Sequence, residues 1–334
     1  MLLLLIVMFL ISFIVTAISI PFIIKECSKR KIGGNDVHKK GRPFVPGLGG
    51  IGIALSLIIS MILAYIVFSS HALSLFFDSF ISDRLAEVML YSIVVVVIAA
   101  SIGLFDDFVS IPHKIKLLLP LLIAVPIIIL KSSWLHIFSL PFIGPLSIPI
   151  SLYLLLLIPI GVIAVTNVTN TFAGYNGLEA GLAAIISFFF ILLGFLHNLP
   201  VVLLLSIPLF ASSLAFLFYN WYPARIFIDD VGTLTIGAVF SEIVILGGLE
   251  IEGFILLLLY IVDFLFFKVP NNLPTTKWWG TYRNGKLYHE GKSIHLGQFV
   301  LSKFNGLREY ELVSLFLIIQ LLLGVLSIFV SFLK

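Results

Sequence analysis

A chain of 334 residues that is 60% apolar and only 11% charged has too little polar surface to cover a water-soluble globule. Its apolar runs repeatedly reach the ~20 residues that cross a bilayer, so composition excludes a soluble enzyme and predicts an all-α polytopic membrane protein. The formal net charge of +3 decides nothing by itself, and one cysteine, Cys27, excludes an internal disulfide. No feature points to nucleic acid as a partner.

The first run, Leu2 to Ile24, is too long for a signal-peptide core, has no basic residue before it, and ends in Lys25, Lys29, Arg30 and Lys31. It reads as a retained span with its N-terminus outside. Nine further apolar segments follow at roughly 45–69, 87–105, 114–131, 150–167, 177–196, 199–219, 231–248, 251–268 and 311–333. Between the fourth and fifth spans, Trp134–Pro149 with its Gly144-Pro145 turn reads as a short extracytoplasmic hairpin or loop. Ten spans leave both termini extracytoplasmic and put loops 25–44, 106–116, 168–176, 219–230 and 268–310 in the cytoplasm. Only Arg84, Lys131 and Lys334 then fall on the other side, the bias expected of cytoplasmic loops. With no internal repeat and no soluble segment, residues 1–334 read as one integral membrane domain. The last loop holds a predicted hairpin around Asn284-Gly285, with Trp278-Trp279 before it and Leu287-Tyr288 after. Beyond it, Ile294, Phe299, Val300 and Phe304 are spaced like the buried face of a short amphipathic helix lying at the interface.

Polar groups gather in these cytoplasmic loops and not in the outer ones. Asp106-Asp107 closes the third span, and Lys116 follows ten residues after Asp106. Adjacent carboxylates repel and favour a cation, a proton or a lysine between them; alone, the pair equally fits a solvated helix end. Asn167 and Asn170, three residues apart, share a face at the end of the fifth span. Gly174, Asn176 and Gly177 suit a turn that brings backbone close to a ligand, with Glu179 after it. Amide oxygens suit Mg²⁺ or a nucleobase, and single asparagines also cap helices. Asp229-Asp230 leads into the eighth span, where one of them fits a helix cap and either fits a metal–phosphate group. The first loop carries Asp36, His38, Lys39, Lys40 and Arg42 before a glycine-rich stretch, bases that suit a phosphate or anionic lipid headgroups. The last loop carries His289, Lys292 and His295.

At these residues the chain resembles the polyprenyl-phosphate N-acetylhexosamine-1-phosphate transferase superfamily. Asp106-Asp107 with Lys116 is similar to its Asp-Asp motif with a downstream lysine. The stretch Asn167-Val-Thr-Asn170-Thr-Phe-Ala-Gly-Tyr-Asn176-Gly-Leu-Glu179 is similar to that of UDP-GlcNAc:dolichyl-phosphate GlcNAc-1-phosphate transferases, the eukaryotic and archaeal branch. Phe227-Ile-Asp229-Asp230-Val-Gly-Thr resembles the family's Phe-x-Gly-Asp-Thr stretch, with Asp229 standing where glycine is usual. The last loop resembles the one that covers the nucleotide but lacks the bacterial histidine run. The resemblance implies ten spans, cytoplasmic chemistry in a plasma or endoplasmic reticulum membrane, and a homodimer. The implied reaction joins UDP-GlcNAc to a polyprenyl phosphate and releases UMP. It also implies Mg²⁺, with Mn²⁺ as substitute, held by Asn170 and, by register, Asp230. Asp106, Asp107 and Lys116 would serve catalysis, the two aspartates as base or as positioning groups. Asp36, Lys39, Asn167, Asn176, Gly177, Glu179, Lys292 and His295 would bind substrate. Another UDP-N-acetylhexosamine or an undecaprenyl acceptor would use the same chemistry. A secondary transporter is the rival from another class, but it would place its charges near the bilayer midplane. Here only Glu242 and Asp263 lie deep in spans.

Overall fold

In lipid every backbone N–H and C=O must find its partner within the chain, so each long apolar run forms a helix. The computed structural model describes all residues except 71–78, 110, 133–137, 141–143, 147–148, 273–279 and 334. In chain order the membrane helices are α1 (Leu2–Arg30), α2 (Gly50–Ser69), α3 (Ser79–Val109), α4 (Lys114–Ser132), α5 (Ile150–Thr171), α6 (Leu178–Leu196), α7 (Pro200–Asn220) and α8 (Asp229–Gly247). Then come a bent pair, α9 (Glu250–Leu256) and α10 (Leu258–Asn271), a short helix α11 (Leu296–Lys303), and the last span α12 (Glu309–Ser331). The chain is an integral membrane protein. The apolar segment over 251–268 is broken by 65° between α9 and α10. Gln320, buried on α12, donates to the Leu256 carbonyl at 2.9 Å, so the break leaves that acceptor satisfied.

Helix α8 forms the centre of the bundle, with α3, α5, α2 and α7 packed around it. Glycines permit that close approach, as small residues do between membrane helices. A Cβ on Gly50 of α2 would collide with the backbone of Gly232, and one on Gly103 of α3 with the backbone of Val231. Midway along α8, Glu242 is fully buried, and its carboxyl accepts the Ser92 hydroxyl of α3 at 2.5 Å. At the bundle's outside, α1 and α12 turn Leu10, Ile14, Ile18, Leu322, Val325 and Phe329 away from the protein.

Among the described residues, three short antiparallel strand pairs connect the helices. Gly33–Asn35 (β1) with Phe44–Pro46 (β2) lies in the loop after α1, where sequence patterning shows no strand. In the stretch before α5, Phe138–Leu140 (β3) pairs with Gly144–Leu146 (β4). Gly144 and Pro145 therefore stand in the second strand and not in the turn. The hairpin of the last loop pairs Thr281–Arg283 (β5) with Lys286–Tyr288 (β6) around Asn284 and Gly285, whose φ of +48° and +83° suit the primed turn that Asn-Gly favours. Trp278 and Trp279 lie outside the described residues. Helix α11 turns Gly297, Gln298 and Leu301 to the protein, so the buried face differs from the one its spacing suggested: Phe299 on it and Phe304 just past its end are exposed.

Candidate active site

The end of α3, the start of α4, the end of α5 and the start of α8 meet at one end of the bundle. Lys116 of α4 is the hub: its ammonium pairs with Asp106 of α3 and with Asp230 of α8. Asp106 also accepts the Ile111 N–H at 2.7 Å, which folds the chain back between α3 and α4. Asn167 holds Lys116's helix in place, donating to the Leu117 carbonyl at 3.0 Å and to its own helix at Ile163. These four residues, spread over more than a hundred positions, meet at one end of the bundle.

Asp107 has a different task from its neighbour. Its two carboxylate oxygens accept the N–H groups of Asp230 (3.0 Å) and Val231 (3.1 Å), so it caps the N-terminus of α8 from another helix. Asp229, at φ +52°, turns its carboxylate the other way and accepts the Leu48 N–H at 2.7 Å. Around it the β2 strand and the start of α2 are laid against residues 227–228: Phe227 N–H donates to Pro46, Gly49 N–H to Phe227 and Gly50 N–H to Ile228, at 2.8 to 2.9 Å.

The donor set beside Lys116 fits a hard divalent cation. Asp230, Asp106, the Asn170 amide and the Thr233 hydroxyl all offer oxygen. The Asn170 amide joins this group: with Nδ2 toward α8 it donates to the Thr233 hydroxyl at 2.8 Å and to Asp230 Oδ1 at 2.9 Å, and its Oδ1 accepts from Lys116 at 3.1 Å.

A second group is built on the turn after α5. Gly174 (φ +113°) and Gly177 (φ +84°) shape it. Glu179 accepts the Gly174 N–H at 2.6 Å, and Asn220 of α7 accepts the Gly177 N–H at 3.1 Å. The Asn176 side chain is buried, with its carbonyl accepting the Ala224 N–H at 2.7 Å, and its own N–H donates to Glu309 of α12 at 2.7 Å. Glu309 also pairs with Lys39, whose ammonium lies 3.2 Å from Asp36 and 4.1 Å from the centre of the Tyr222 ring. His38 stacks on Tyr175 at 5.2 Å, and burial pushes the Tyr175 phenol well above its ordinary pKa. Asp36 and Lys39 thus join the site through Glu309, a residue that the sequence motifs do not single out.

The last loop divides. His295 is fully buried, its Nε2 3.5 Å from Lys268, and the next N–H, of Leu296, donates to Asp263 at 2.6 Å. Lys292 stays exposed, apart from both groups.

Residues 89–248 match the family described as glycosyl transferase family 4. A protein of Saccharolobus solfataricus with the provisional name UDP-N-acetylglucosamine--dolichyl-phosphate N-acetylglucosaminephosphotransferase is 29% identical over 321 residues, covering 96% of this chain and 94% of that one. A provisionally named glycosyltransferase of Methanocaldococcus jannaschii is 28% identical over 331 residues, 96% and 95% of the two chains. The phospho-N-acetylmuramoyl-pentapeptide-transferase of Staphylococcus carnosus is 26% identical over 345 residues, 97% and 98%. The matched family segment carries Asp106, Lys116, Asn170 and Asp230 together. The chain is therefore similar along nearly its whole length to these archaeal and bacterial transferases, and the resemblance in its motifs holds.

Proposed function

We propose that this protein transfers GlcNAc-1-phosphate from UDP-GlcNAc to a polyprenyl phosphate of the dolichyl type, giving GlcNAc-diphosphate-polyprenol and UMP. The observation that carries the reading is the Lys116 ammonium held between Asp106 and Asp230, with Asn170 beside them, at one end of a membrane bundle. The archaeal relative's name supports the donor and acceptor. The basic loops support a cytoplasmic face for the site, where a soluble nucleotide sugar and a lipid phosphate meet.

In this reaction an oxygen of the acceptor phosphate forms a bond to the sugar-bearing phosphorus of the donor. The bond from that phosphorus to the bridging oxygen breaks, and the electron pair leaves on UMP. An acceptor phosphate monoester has a second pKa near 6 and is largely a dianion at neutral pH, so no strong base is required. The demand is to bring two anions together and hold them in line. Lys116 meets it by offering a fixed positive charge, kept in place by Asp106 and Asp230. Asp107 holds the first turn of α8 so that Asp230 keeps its aim. Asn170 and Asp230 would hold Mg²⁺, or Mn²⁺, which supplies further neutralisation of the diphosphate. The turn from Gly174 to Gly177 would receive the uridine.

The test uses purified full-length protein in lipid nanodiscs with labelled UDP-GlcNAc, dolichyl phosphate and Mg²⁺. Labelled lipid and an equal amount of UMP are expected, both lost on chelation and restored by added Mg²⁺. Turnover that survives chelation removes the metal from the scheme; binding of UDP-GlcNAc without lipid product removes the acceptor.

A further inference from the structure

Acids are common in the first turn of a helix, where they face its positive end and water. Glu309 opens α12 but is only 2% exposed. A carboxylate withdrawn from water costs several kcal/mol unless it is paired and hydrogen-bonded. Glu309 is both, and its partners all come from loops distant in sequence. One oxygen accepts the Asn176 N–H at 2.7 Å and lies 3.8 Å from His38 Nδ1; the other pairs with Lys39. Residues 36–39, 174–177 and 309 thus meet in one buried knot.

The Asn176 turn has two glycines at positive φ and so little conformational preference of its own. It is held at three points, two of them from other helices: Glu179 on Gly174, Glu309 on Asn176 and Asn220 on Gly177. Of these three, Glu309 alone also grips the first loop. Asp36, His38 and Glu309 bring potential ligand atoms within 4.8 Å of one another, but the Lys39 ammonium already lies between the two carboxylates. The knot is closed by its own cation, and it acts as a clamp.

We propose that Glu309 is a positioning residue of the donor site: through Asn176 and Lys39 it fixes the first loop against the turn that seats the uridine nucleotide. The inference rests on the reading of a uridine nucleotide as donor. It locates a determinant of nucleotide affinity on the last membrane helix, apart from the Lys116 group where phosphorus changes hands.

The experiment measures UMP affinity by calorimetry, and KM and kcat for UDP-GlcNAc, on full-length wild type and Glu309→Gln in nanodiscs. Gln keeps an acceptor for the Asn176 N–H but removes the charge that holds Lys39. UMP affinity is expected to fall and KM to rise by about tenfold, the effect of losing one charged hydrogen bond. The kcat value stays within about twofold, because the Lys116 group is untouched. Lys39→Gln is the second variant. It produces the same shift, and the double substitution is no worse than the worse single one, since both remove one shared interaction. Unchanged UMP affinity in both variants, a loss confined to kcat, or additive effects in the double variant would each overturn the inference while leaving the donor reading intact. Wild type that binds neither UMP nor UDP-GlcNAc overturns the donor reading and the inference with it.

Discussion

At the end of α3, Asp106 turns to Lys116 while Asp107 accepts two N–H groups from the first turn of α8. At the start of α8, Asp230 turns to the same lysine while Asp229 folds back onto Leu48. Both pairs divide between a charge that meets the cation and a charge that fixes backbone, yet the fixing differs in reach. Asp107 acts across two helices and sets the register of α8 against α3. Asp229 acts on one loop, from a left-handed backbone conformation that glycine would adopt more readily. An aspartate doublet here is therefore one carboxylate that meets Lys116 and one that binds backbone N–H groups, with the backbone-binding member first in one pair and second in the other.

The division is broken most severely at the two members that face Lys116. Asp230→Asn or Asp106→Asn leaves Lys116 with one carboxylate and weakens the charge arrangement that the in-line attack requires. Turnover is expected to fall by about 10²–10³-fold, the scale of removing one preorganised electrostatic group. Thermal unfolding should show the fold retained. A loss below tenfold in both variants would place the phosphoryl chemistry elsewhere.

The structural member at the end of α3 comes next. Asp107→Ala removes the cap of α8 and should destabilise the protein by about 1–2 kcal/mol. Asp107→Asn keeps an acceptor of the kind that caps helices well, so it should retain most stability and lose less turnover than Asp106→Asn. If Asp107→Asn matches Asp106→Asn in lost turnover with UMP affinity unchanged, Asp107 meets substrate and the division fails.

Sequence reading predicts the helices well because a span needs only length and apolarity, and both are visible in one dimension. The bend between α9 and α10 is invisible there, since the group that meets the freed carbonyl is Gln320, some sixty residues away. Asp106, Lys116, Asn170 and Asp230, drawn from three separate motifs, lie together in the fold, but the motifs do not say that Asp106 rather than Asp107 faces Lys116. That depends on which N–H groups lie nearby once α3 and α8 are packed. Asn176 shows the same limit: its residue type suits nucleobase recognition, while in the fold its side-chain carbonyl is taken by Ala224. Glu309 went unread because an acid before an apolar run is an ordinary helix start, and its burial appears only when the first loop and the Asn176 turn close over it.

The smallest effect is expected at Asp229, and it sharpens the comparison most. Two contributions oppose each other in Asp229→Gly. The hydrogen bond to Leu48 is lost, worth about 1 kcal/mol, while the cost of a left-handed non-glycine residue is relieved by a similar amount. Stability should stay within about 1 kcal/mol of wild type and turnover within about threefold. Asp229→Ala loses the bond and keeps the backbone cost, so it should be less stable than Asp229→Gly by about 1 kcal/mol. Unfolding midpoints and turnover on the three proteins decide the matter. The order wild type, glycine, alanine in stability, with turnover nearly level, makes Asp229 a local tie that glycine can replace. A collapse of turnover in Asp229→Gly to the level of Asp230→Asn would show instead that the charge at 229 serves the reaction, and the register that assigns the cation to Asp230 would have to move by one residue.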